Sequence, residues 1–94
     1  MPPVIKSWMW LEKDLDELAQ HGVSRRLVLQ VAYESPKFRR NKRRRAASHQ
    51  MIGPDYGGRM WTICISEVAG QPGVWRAITG WPADPEDVDW YQKW

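Results

Sequence analysis

A single cysteine, Cys64, stands among 94 residues, which rules out an intramolecular disulfide and a cysteine-built zinc cage. It lies between two isoleucines in the stretch TICIS, the setting of a small buried thiol in a reducing compartment. Histidine is scarce as well, with only His21 and His49. No hydrophobic run approaches the length of a membrane span, and the opening MPPVIKSWMW lacks the basic start and apolar centre of a secretory signal. A cytoplasmic location with no membrane partner is therefore expected. The sequence also lacks a G-x-S-x-G elbow, a phosphate-binding loop, an H-E-x-x-H pair and any spaced set of metal ligands. No cofactor and no metal are expected. The chain is too short for two cores, so residues 1–94 are expected to form one domain near the lower limit of self-sufficient size.

Charge is abundant and unevenly placed. Residues 37–45 (KFRRNKRRR) hold seven of the fourteen basic side chains: Lys37, Arg39, Arg40, Lys42, Arg43, Arg44 and Arg45. The rest of the chain carries seven basic side chains against eleven acidic ones, so a net charge of +3 conceals a basic segment on an acidic body. A dense arginine run suits a phosphate backbone or an acidic protein; the plainer alternative is a solvated loop. Tryptophan is the other excess. Seven in so short a chain supply both large core side chains and anchors for a partner.

Periodicity divides the chain. Residues 1–10 read as an arm or a short strand over 4–10. Leu11, Leu15 and Leu18 recur at helical spacing and predict a helix over 11–21, ended by Gly22. Ser24 is the expected N-cap of a second helix, with Val23 and Val28 placed as a hydrophobic staple and Ser35-Pro36 as its stop. The two helices are expected to pack as an antiparallel or angled pair. Strand character follows at 37–42, 46–53, 59–68 and 74–81, the middle pair joined by PDYGG and the last pair by GQPG. Asp84-Pro85 opens a closing helix in which Val88, Tyr91 and Trp94 recur. The fold class this predicts is α+β: two N-terminal helices, an antiparallel sheet of three or four strands, and a C-terminal helix.

If the hairpins pair directly across their loops, one sheet face collects Met51, Trp61, Ile63, Ile65, Trp75 and Ala77. The other collects Ser48, Gln50, Thr62, Ser66 and Arg76. The first is the expected core face and the second a polar face.

The segment HGVS at 21–24, MIG at 51–53, Gly58-Arg59 after a turn, WRAITGWPA at 75–83 and Tyr91 together resemble the BrnT-type toxins of bacterial toxin–antitoxin pairs. These are small relatives of the RelE-like ribonuclease fold, and the resemblance spans roughly residues 15–91. It implies a metal-independent endoribonuclease toxin that is neutralised by a cognate antitoxin, in a toxin–antitoxin hetero-oligomer. The chain departs from the pattern at Trp81, where the family commonly has arginine. It departs again at the start of the last helix, which is acidic here (Asp84, Glu86, Asp87, Asp89).

Such cleavage has a ribose 2′-hydroxyl attack its own phosphate, so a site needs proton transfer and positive charge at the phosphate oxygens. Arg76 matches the family's arginine and falls on the polar face, where its guanidinium could grip a phosphate; the alternative is an ion pair with Glu67 or Asp84. Arg59 follows the Gly57-Gly58 turn, and its alternative role is closing the hairpin through Asp55. His49 is the acid–base candidate, although its register places it on the core face, as a half-buried histidine. His21 reads as a helix-end residue that complements the dipole. Residues Lys37, Arg39, Arg40, Lys42, Arg43, Arg44 and Arg45 are expected to steer RNA. The other function classes are an RNA-binding module without catalysis and a module that docks an acidic partner protein.

Overall fold

A computed structural model describes residues 3–41 and 47–93. The elements run β1 (Ser7–Trp8), α1 (Glu12–Gln20), α2 (Arg25–Tyr33), β2 (Lys37–Arg40), β3 (His49–Pro54), β4 (Met60–Glu67), β5 (Val74–Pro82) and α3 (Pro85–Lys93). The architecture is α+β, with the expected order of two helices, a meander and a closing helix. The sheet differs in one respect from that expectation. It has five strands in the order β1-β5-β4-β3-β2, and β1 runs parallel to β5, so the sheet is mixed rather than purely antiparallel. Only two residues of the N-terminal arm join it, Ser7 opposite Val74 and Trp8 opposite Trp75. Trp75 fastens the arm further, its indole Nε1 donating to the Val4 carbonyl at 3.1 Å.

The helix ends follow local chemistry. The Ser24 hydroxyl accepts from the Leu27 amide at 3.1 Å, and the stapling pair Val23 and Val28 is buried. Gly22 takes φ +77°, the left-handed turn that ends α1. The two helices are stacked mainly on the sheet, α1 against β5 and α2 against β3. Gly53 lets the chain pass closely: a Cβ there would sit 3.0 Å from the Pro36 Cα where α2 hands over to β2.

Strand alternation sorts the side chains as expected. Trp61, Ile63 and Ile65 of β4, Met51 of β3 and Trp75 and Ala77 of β5 form one buried cluster with Leu18, Val23, Val28 and Val31. A bulge in β5 keeps this alternation from running straight through. Cys64 pairs with Thr79 and Ile65 with Ala77, so Ile78 is the extra residue. Beyond it Thr79 and Trp81 share the opposite face with Gln50, Thr62, Cys64 and Arg76. Part of that second face lies under α3. Thr62 is wholly buried there and donates to Asp87 Oδ2 at 2.8 Å. Tyr91 ties the helix to the end of α2 through its hydroxyl, which donates to the Ser35 carbonyl at 2.6 Å.

Candidate functional site

The second face is only partly covered. Between α1, on the β5 side, and α3, on the β3 side, lies a cleft of about 690 Å³, within the usual range for a small-molecule or nucleotide site. Its floor is Gln50, Cys64 and Thr79, one residue from each of the three central strands. Glu17 of α1 and His21, the residue that caps its C-terminus, form one wall, Arg39 and Arg40 of β2 another, and Asp84, Glu86 and Asp87 with Trp81 a third. Cys64 is only 3% exposed, and burial pushes its thiol pKa up, which leaves it a poor nucleophile.

The α1 wall holds a short chain of hydrogen bonds. Glu17 Oε2 accepts from the Thr79 hydroxyl at 2.9 Å and lies 3.0 Å from His21 Nε2. The Thr79 bond and then the His21 bond hold the Glu17 carboxyl below its ordinary range. An ionised carboxylate has no proton to give, so Nε2 carries the hydrogen and a neutral His21 keeps its lone pair on Nδ1. His21 was expected to serve only the helix end. The i, i+4 spacing of Glu17 and His21 was the visible signal of something more.

Across the cleft, Arg39 is already engaged by three neighbours. Its Nε donates to Gln50 Oε1 at 2.8 Å, its guanidinium meets Asp87 Oδ1 at 2.5 Å, and it lies over the Trp90 ring at 4.9 Å. Lys37 is occupied too, donating to the Tyr91 carbonyl at 2.8 Å. Arg40 is exposed, and its charge helps lower the pKa of His49. Lys42, Arg43, Arg44 and Arg45 lie outside the described residues. The residues flanking them, Asn41 and Ala47, both line the cleft, and Asn41 Nδ2 donates to the Ala47 carbonyl at 3.0 Å.

The structure does not gather Arg76, Arg59 and His49 into one place. Arg76 is on the second face as expected, but its partner is neither Glu67 nor Asp84. It grips Asp14 of α1 with two bonds, Nε to Oδ2 at 2.8 Å and a terminal nitrogen to Oδ1 at 2.9 Å. Asp14 is 4% exposed, and pairing with it raises the Arg76 pKa. Arg59 sits at the β3–β4 hairpin end with its guanidinium over the Trp61 ring at 4.8 Å. The hairpin is closed by Asp55, whose Oδ1 accepts from the Gly57 and Arg59 amides and whose Oδ2 accepts from Trp61 Nε1. His49 lies on the core face, 5.5 Å from the Trp75 ring in an edge-on arrangement, and desolvation lowers its pKa. Trp81 is half-buried on the cleft wall, which Glu86 and Asp87 of α3 also line.

The described cleft lining carries four carboxylates against two guanidinium groups, but Glu17 and Asp87 are already partnered. No group of three or more potential metal ligands clusters among the described residues. Comparisons with family models, with curated proteins and with solved structures found no match to this chain.

Proposed function

We propose that this chain acts on RNA as a toxin of the BrnT type, a metal-independent endoribonuclease held in check by a cognate antitoxin protein. The observation that carries the reading is that Arg39, Arg40 and Asn41 of the basic run line the same cleft as His21, Glu17 and Trp81. A strand drawn in by the arginines reaches a histidine, a carboxylate and an aromatic surface within one cavity. The helix-helix-meander-helix order and the motifs at 21–24, 51–53 and 75–83 support the same assignment.

A second reading, RNA binding without cleavage, is favoured by the pairing of Arg76 with Asp14 and of Arg39 with Asp87. Both arginines lie on the second face, and each already answers to a carboxylate. The experiment is incubation of the purified protein with a labelled single-stranded RNA in a chelating buffer across a salt series. Cleavage supports the toxin reading, and salt-sensitive retention of intact RNA supports the binder. If neither occurs and a small acidic protein co-purifies, the chain is a protein-docking module. Replacing Arg40, Arg43 and Arg44 by Gln should flatten the salt dependence by roughly two units of slope, at about 0.7 per lost contact.

A further inference from the structure

We infer that His21, oriented by Glu17, is the general base of this cleft, taking the proton from a ribose 2′-hydroxyl. The inference rests on the ribonuclease reading above and gives the proton transfer to a residue that the motif-based choice of Arg76, Arg59 and His49 passes over. Three observations carry it. His21 lines the cleft, whereas His49 lies on the other face of the sheet against Trp75. Glu17 Oε2 is 3.0 Å from His21 Nε2, which fixes the tautomer that leaves Nδ1 free to accept a proton. Thr79 holds Glu17 from the sheet at 2.9 Å, so the carboxylate is anchored to β5 as well as to its own helix. A histidine backed by an anchored carboxylate is the arrangement that a base needs in order to stabilise the imidazolium it becomes.

The chemistry balances without a further reactant except water. His21 Nδ1 accepts the 2′-hydroxyl proton while that oxygen attacks the adjacent phosphorus. The new P–O2′ bond forms, the P–O5′ bond breaks, and the departing 5′-oxygen takes a proton from water. The imidazolium then returns its proton to the resulting hydroxide. The products are a 2′,3′-cyclic phosphate and a 5′-hydroxyl end. Glu17 touches no reacting atom and is a positioning residue.

Glu17→Gln removes the carboxylate that orients the imidazole, so it should slow cleavage while RNA affinity stays at the parental value. A mere helix-end role for His21 would leave the cleavage rate of Glu17→Gln unmoved.

The test is a single-turnover assay on an oligoribonucleotide in chelating buffer, with RNA binding measured alongside. His21→Gln is expected to slow cleavage by about 10²–10⁴ while RNA affinity and thermal midpoint stay at the parental values, and free imidazole should restore part of the rate to His21→Ala. A substrate with a 2′-deoxyribose at the cut site should be inert. A parental rate in His21→Gln, or loss of activity in His21→Ala that imidazole fails to restore, overturns the assignment while the parent's own cleavage leaves the ribonuclease reading standing. A parent that releases no cyclic phosphate overturns both.

Discussion

On one face of the sheet, Met51, Ile63, Ile65 and Val31 are sealed with no polar partner, because apolar surface needs none. On the other, closure depends on matched polar pairs: Asp87 with Thr62 and Arg39, Asp14 with Arg76, Glu17 with Thr79. No buried side-chain nitrogen or oxygen among the described residues lacks a partner. The first face is closed by apolar packing, with His49 beside Trp75 and the two indole nitrogens bonded to Asp55 and the Val4 carbonyl, and it serves as the core. The second can open, because a polar pair exchanged for water or for a ligand loses far less than an exposed core. The cleft is found there, where closure is incomplete.

The comparison can be broken from either side. The largest effect is expected on the sealed face: Ile63→Ala should cost about 2–5 kcal/mol in urea unfolding, since Ile63 is wholly buried. A loss below about 1 kcal/mol would mean that the core relaxes around the gap.

Arg76→Ala should rank next. It strands the Asp14 carboxylate, whose side chain is 5% exposed, while the arginine's own side chain is 26% exposed. Breaking such a pair costs about 3–5 kcal/mol when both partners are buried, so the lower end is expected. The double variant Asp14→Ala/Arg76→Ala should recover much of the loss. If the double variant is as unstable as the two single losses added together, the pair is not coupled and the second face is held by something else.

Trp81→Ala sharpens the contrast. A half-buried cleft residue should matter more to a ligand than to the fold, so RNA affinity should fall by about 1–3 kcal/mol with a smaller loss of stability than in Ile63→Ala. Equal stability losses would place Trp81 in the core after all.

The smallest effect is the titration of His49. Its folded pKa is lowered, chiefly by desolvation and then by Arg40, so the neutral form is favoured in the folded protein. Stability from this source is complete above the unfolded value of about 6.5 and is lost as pH falls through the folded value. His49→Gln should flatten that part of a stability–pH curve. An unchanged curve would show that the ring titrates as freely as in the unfolded chain.

Much of this division was legible in the sequence. The period-two pattern of WTICI and the spacing around PDYGG fixed the register well enough to name the core face, and the bulge fell beyond Ala77, where it disturbed none of those residues. The polar pairs were not legible. Asp14 looks like any solvent-facing helix residue, and what makes it a buried acceptor is an arginine 62 positions away. Asp87 was read as part of an acidic helix start, where it does favour the dipole, but its carboxylate also serves Thr62 and Arg39. The short strand offered over 4–10 includes β1, but its parallel pairing was not legible, because two residues carry no register signal and the partner strand is remote in sequence. The link from His21 to the sheet was hidden for a related reason: its partner Glu17 is a local i, i+4 neighbour, but only tertiary contact brings Glu17 to Thr79.

The parallel pairing of β1 with β5 also bears on how the chain is born. Lys6 and Ser7 donate to the Gly73 carbonyl, and Trp75 reaches Val4, so the first strand has no docking site until Gly73–Trp75 has been made. At ribosomal speeds of about 5–20 residues per second, the arm waits roughly 3–13 s, longer still while the exit tunnel holds the newest residues. Trp8 and Trp10, which stack at 5.9 Å in the finished protein, spend that interval without the strand that orders them. Residues made well before their partner strand are thus among the last to be placed, and for those seconds the two indoles lack the strand that covers them.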